Sequence, residues 1–231
     1  VTTEPDITSN SDFVADTVRI RRAADRASYD RAVINEIIDA ALVGHVGTVR
    51  DGKPLVIPMF CVRRDDWLLM HGAPASGVIR RAQTPAGEPL DVCVTITLLD
   101  GLVLARSSFH HSMNYRSVVV VGRALPITEP EAKAAALEYF TERLVPGRQA
   151  ELRPTTAKEA QGTSVLQLSL NNASAKIRTG PPIDDEEDYG VDVWAGVVPV
   201  TTRLGAPEPD PLLKAGIDLP DNVAALVGRR L

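Results

Sequence analysis

Ten residues, Ser107 to Arg116, hold two histidines, three serines, an asparagine, a tyrosine and an arginine, and the chain then runs into Val118-Val119-Val120-Val121-Gly122. A valine run bounded by polar residues reads as a strand buried on both faces. Polar groups at the mouth of such a strand are held by the sheet behind them and can meet a ligand in fixed positions. Arg116 offers a fork for a phosphate, and Asn114 and Tyr115 can orient a planar ligand. The same residues also suit a hairpin end that faces water, and the two meanings stand level.

Three other segments carry chemistry-bearing residues. In His71-Gly72-Ala73-Pro74-Ala75-Ser76-Gly77-Val78-Ile79-Arg80-Arg81 a strand ends, a Gly/Pro turn follows and a helix opens near Ser76. Free N–H groups at a helix start, with Ser76 and Arg80, form a phosphate cradle, although an ordinary N-cap beside surface arginines is the commoner meaning. In Ser174–Pro182, Lys176 and Arg178 alternate onto one face and can close over an anionic ligand; a solvated pair fits as well. In Leu55–Phe60, Pro58 has no N–H for a ladder, so it marks an edge or a bulge. That irregularity frees backbone around Ile57 and Met59 for the rim of a flat heterocycle.

Other chemistry lacks its signature. There is no G-x-G-x-x-G, no P-loop and no G-x-S-x-G elbow. The four histidines (45, 71, 110 and 111) have no H-E-x-x-H spacing and no C-x-x-C is present, so no metal site is expected. The acidic run Asp184–Asp188 reads as a solvated loop. Cys61 and Cys93 each sit in an apolar run and read as buried free thiols of a reducing cytoplasm. A net charge of −5 argues against nucleic acid. No apolar run reaches membrane-spanning length, and the first residues do not form a signal peptide.

The elements that must position these residues are mostly strands. Residues 1–27 read as an arm. Ser28–Leu42 reads as a helix capped by Ser28, with Ile34, Ile37, Ile38, Ala41 and Leu42 on one face and Gly44 ending it. Strands follow at His45–Val49, Leu55–Arg63, Trp67–His71 and Leu90–Leu98, the first pair joined by an Asp51-Gly52 hairpin. Asp100-Gly101 predicts a second hairpin into Leu102–Phe109. Later strands are Arg116–Ile127 and Val165–Leu170. Helices are predicted at Ser76–Gln83 and Glu129–Leu144, the latter opening with Pro130. Short links between six or seven strands predict a mainly β, α+β fold, an antiparallel sheet closed into a barrel with flanking helices. The domain spans 28–200, and 201–231 reads as an extended, proline-rich tail.

The order of these segments resembles the FMN-binding split barrels of the pyridoxamine 5′-phosphate oxidase-like family, in the flavin-nucleotide-binding branch that includes nitroimidazole-resistance (Nim-type) proteins. The resemblance runs from about Val18 to Val200. It is carried by Gly44-His45-Val46-Gly47-Thr48, Pro54–Met59, His71-Gly72-Ala73, Asp100–Ser107, Ser112–Val118, Ser174–Arg178 and Trp194–Pro199. It implies a six-stranded Greek-key split barrel, a homodimer with FMN at the subunit interface, and an FMN-dependent oxidoreductase acting on a small planar substrate. Carried over by position, Ile57, Pro58 and Met59 line the isoalloxazine ring, and His71, Ser76 and Arg80 serve the phosphate and ribityl end. Ser112, Asn114, Tyr115 and Arg116 lie near the cofactor, and Lys176, Arg178 and Trp194 come from the late segment. His71 and Tyr115 are the candidates for acid–base work. Related turns often carry Gly-Lys or Gly-Arg before the helix; here Gly77-Val78 stands, which shifts phosphate binding toward Arg80 or Arg81. A flavin or haem carrier without turnover, with His110 and His111 open for iron, is the alternative, as is a deazaflavin in the same groove.

Overall fold

The structure, a computed structural model, describes residues 16–73 and 89–231. Its strands are β1 (Ala27–Ser28), β2 (Val43–Arg50), β3 (Lys53–Arg64), β4 (Trp67–Gly72), β5 (Leu90–Leu104), β6 (Ser112–Pro126), β7 (Ser164–Ser169), β8 (Ala173–Arg178) and β9 (Gly196–Pro199). All described pairings are antiparallel, and six strands close on themselves in the order β2–β3–β4–β7–β6–β5 and back to β2. This is the split barrel expected from the sequence. β6 makes closure possible by changing partners: it pairs β8 over Tyr115–Val120 and β7 at Leu125–Pro126, while β5 runs along its other side.

Helix α1 (Arg31–Asp39) lays Ile34, Ile37 and Ile38 into the barrel core against Val46, Val94, Val118 and Leu166. Its cap is Asp30, whose carboxylate accepts from the N–H groups of Ala32 and Val33 at 2.7 and 3.3 Å. The predicted cap, Ser28, instead pairs with Ala175 as part of β1, and Gly44 lies inside β2. Helix α2 (Pro130–Leu144) starts where the sequence placed it, with the Glu129 side chain accepting from Ala132 N. It buries Ala136 and Phe140 in a second cluster with Val62, Leu69 and Val165. The Tyr139 hydroxyl donates to the Arg63 carbonyl at 2.8 Å and ties this helix to β3. Helices α3 (Ala157–Gln161) and α4 (Asp221–Ala224) are short.

Two dipeptides of one composition behave differently. Asp51 and Gly52 both have positive φ (51° and 74°) and make the two-residue hairpin that was predicted. Asp100-Gly101 does not turn the chain; β5 continues through it with a bulge between Leu99 and Gly101. A Cβ on Gly101 would stand 3.0 Å from Val197 and 3.1 Å from the Val198 carbonyl, so the glycine admits β9. The reversal comes later, in the Ala105–His111 connection. The valine run is buried on one face only: Val118 and Val120 are enclosed, while Val119 and Val121 are half-exposed. Cys61 is buried, but Cys93 is exposed, against the expectation for both. Among the described residues no helix is long and apolar enough to cross a membrane. Beyond residue 200, Arg203 bridges Arg230, and Asn222 donates to Glu151 at 2.6 Å.

Candidate cofactor site

Strands β6 and β8 bring five of the sequence-derived candidates together. Tyr115 lies opposite Arg178, Arg116 opposite Ile177, and Ser117 opposite Lys176. Asn114 and Arg178 are both buried. The Arg178 guanidinium donates to Asn114 Oδ1, to the Gly180 carbonyl at 3.4 Å and to the Pro181 carbonyl at 3.2 Å; the Asn114 amide also donates to Gly180 at 3.1 Å. All these acceptors are neutral. Burial first, and the nearby Arg26 second, pull the Arg178 pKa below the ordinary arginine value. Arg116 is in a different state. It forks onto Asp100 at 3.0 and 2.8 Å, and that hydrogen bonding, more than the charge attraction, raises its pKa. Its fork thus meets a carboxylate of its own chain. Lys176 donates to the Arg22 carbonyl at 2.9 Å, and Ser112 is exposed at the start of β6.

Trp194 is 66% exposed and lies over Gly196, the first residue of β9; a Cβ there would be 2.9 Å from the indole. β9 places it next to the end of β5, where Leu104 pairs with Gly196.

Pro58 occupies the edge that its missing N–H requires. Residues 53–60 of β3 pair with β2, but pairing with β4 begins only at Cys61. The outer side of Ile57, Pro58 and Met59 therefore has no strand partner among the described residues. Pro58 is exposed, and Ile57 and Met59 turn toward the core. Ser76 and Arg80 lie outside the described residues.

His71 stands apart from the β6–β8 group. It lies near the end of β4, opposite Val165, and meets Phe60 and Phe140 edge-on with ring centroids 5.8 and 4.5 Å away. Its imidazole ring has no hydrogen-bond partner among the described residues. It lines a cavity of about 510 Å³ beneath α2, which sequence reasoning missed. Burial holds its pKa below the ordinary histidine value. The only signal was the apolar face of α2, which does not name its partner.

Another missed group is Asp184. The acidic run is not wholly solvated: Asp184 is buried and accepts from the Arg106 N–H and guanidinium, each at 2.9 Å. Arg106 also lies over the Tyr189 ring, 5.0 Å from its centre. His110 faces Asp185 at 3.2 Å, and His111 Nδ1 meets the Ser107 carbonyl at 2.8 Å.

The closed ring of six strands, split beside Pro58, is the architecture against which the known proteins can be set. The family model of pyridoxamine 5′-phosphate oxidase matches residues 30–177. The chain belongs to the pyridoxamine 5′-phosphate oxidase-like family. Within that family it is similar to the flavocytochrome Anf3 from Azotobacter vinelandii, with 39% identity and a TM-score of 0.86 over 92% of this chain and 97% of the other. It is also similar to an FAD and heme binding protein from Mycobacterium smegmatis, with 38% identity and a TM-score of 0.83 over 88% of this chain and 98% of the other. A structure named for 5-nitroimidazole antibiotic resistance, from Bacteroides thetaiotaomicron, has 24% identity and a TM-score of 0.53 over 65% of this chain and 86% of the other, and shares the fold alone. No curated protein gives a match.

Proposed function

We propose that this family member is a flavocytochrome-like redox protein that holds a flavin and a haem. One observation carries the reading: two structures at 39% and 38% identity, matched over nearly their whole length, are named for a flavocytochrome and for FAD and heme binding. That favours FAD over the FMN expected from the sequence, and it joins flavin and haem where the sequence offered them as alternatives.

The residues fit an anionic, flat cofactor. Arg106 and Arg116 each hold a carboxylate, whereas the buried Arg178 has no ion pair among the described residues. A phosphate beside Arg178 would supply the counter-charge that its burial calls for. The unpaired edge of Ile57, Pro58 and Met59 suits the polar rim of the isoalloxazine. Asn114, Tyr115, Lys176 and Trp194 would close around the cofactor, with Ser112 at the margin and Ser76 and Arg80 at the phosphate end. When bound, flavin exchanges electrons in ones or twos and haem iron exchanges one. The chain's own part is to orient the ring, exclude water and offer Tyr115 as a proton donor to a small planar substrate. Arg116 holds Asp100, fixing the bulge beside the site.

A homodimer completes the reading. Leu102, Met113 and Val198 lie side by side on β5, β6 and β9 and are 41%, 51% and 44% exposed. A second copy would cover this apolar face and bring its own late segment to the flavin. The test is the spectrum of freshly purified protein together with mass spectrometry of the released cofactor. FAD and a Soret band are expected. Protein that takes up neither FAD nor FMN would overturn the flavin reading.

A further inference from the structure

We propose that His71 is the axial ligand of the haem iron, inside the cavity beneath α2. This rests on the haem half of the preceding reading and goes past it by naming the ligand and the pocket. The cavity of about 510 Å³ falls within the ~300–1,000 Å³ of small-molecule and cofactor sites. Phe60, Leu137, Phe140 and Leu144 give it apolar walls; Gln149, Thr163, Glu138 and Arg153, the last ion-paired with Glu159, give it a polar side. Apolar walls with one polar side match a macrocycle that is greasy over most of its surface and charged along one edge.

His71 is placed for the role. Its ring is fixed edge-on between Phe60 and Phe140, and no described residue occupies either ring nitrogen with a hydrogen bond. The backbone behind it is paired on one side, with β7 through Val165, and pairing with β3 stops one residue earlier at Met70, so the ring is held by β7 and by the two phenylalanines.

The other three histidines lack such surroundings. His45 is exposed on β2. His110 faces Asp185, with the 88% exposed Phe109 against its ring. His111 comes closest: its Nδ1–H donates to the Ser107 carbonyl, which leaves Nε2 free in the neutral ring. But it is exposed, on the connection before β6, without walls for a macrocycle.

The experiment uses the full chain, flavin-loaded, titrated with hemin and followed by Soret absorbance and EPR. Wild type, His71→Gly, His111→Gly and Thr141→Trp are compared; the last fills the cavity from α2 without touching the ligand. Circular dichroism and thermal unfolding report folding, and bound flavin is measured separately. In His71→Gly the histidine-ligated spectrum should disappear, haem affinity should fall by more than the ~10–100-fold that loss of an outer partner costs, and added imidazole should restore the spectrum. His111→Gly should match wild type, and Thr141→Trp should keep flavin and lose haem. A wild-type spectrum in His71→Gly, or loss of the spectrum in His111→Gly instead, would overturn the assignment. If His71→Gly does not fold, full haem occupancy in Thr141→Trp would overturn it. Wild type that binds flavin but no haem would sink the preceding haem reading, a separate result.

Discussion

The Arg178 guanidinium donates to the side-chain oxygen of Asn114, and both residues are buried. The pair joins β6 to β8 at their shared end, and the Asn114 amide adds a bond to Gly180. A buried cation held by neutral oxygens depends on each of them.

Asn114→Ala should therefore lower stability by about 1–3 kcal/mol, because it leaves the guanidinium short of an acceptor. Arg178→Met combined with Asn114→Ala should cost less than the sum of the single changes, since the orphaned charge is gone. Urea denaturation of the four proteins measures this; strict additivity would mean that the two side chains are independent.

Gly44 sits where α1 and the barrel meet. A Cβ there would stand 2.8 Å from Cys61 Sγ and 3.1 Å from Val94. Gly44→Ala should cost about 1–3 kcal/mol by overpacking, and Cys61→Ala should recover part of that loss in the double variant. The midpoint of chemical denaturation reports both.

The two thiols should differ in reactivity. Burial pushes the Cys61 thiol up to about 12, while Cys93 is exposed with a pKa raised by partial desolvation. A thiol reagent at neutral pH should label Cys93, more slowly than free cysteine, and reach Cys61 only on unfolding. Peptide mapping after timed labelling tests the order.

Asp184 should shape the acid limb of stability. Burial alone would raise its pKa, but the hydrogen bonds from the Arg106 N–H and guanidinium outweigh it, and the net shift is downward. A depressed folded pKa gives a contribution that is whole above the unfolded carboxylate value, ~3.9, and fades as pH falls through the lower folded value. Asp184→Asn should be less stable at neutral pH and show a flatter decline below about pH 4. Unfolding free energies measured across that range decide; parallel curves would mean that the carboxylate does not titrate with folding.

Trp194 can be moved without altering the indole. Gly196→Ala places a methyl 2.9 Å from the ring and must displace it. The expected result is a changed tryptophan emission and weaker flavin binding with stability nearly kept, read by fluorescence titration.

The amino-acid order determined by itself what depends on local chemistry. Asp51-Gly52 names a tight hairpin because both residues accept positive φ. Pro58 names an edge because it has no N–H to donate, and Glu129-Pro130 names a helix start. The run of family motifs identified the barrel. What only the tertiary structure decided depends on neighbours far along the chain. Asp100-Gly101 has the composition of Asp51-Gly52 but serves a bulge, because β9 approaches it from nearly a hundred residues away. Asp184 is buried, not solvated, because the 105–111 connection brings Arg106 to it. Arg116 and Arg178 look alike in the sequence, yet one finds Asp100 and the other only neutral oxygens. The cavity around His71 exists because α2 packs across β3 and β4, bringing Phe140 to a ring 69 residues earlier. Local rules set backbone shape; which charges and rings face each other is set by barrel closure, and that is a property of the whole chain.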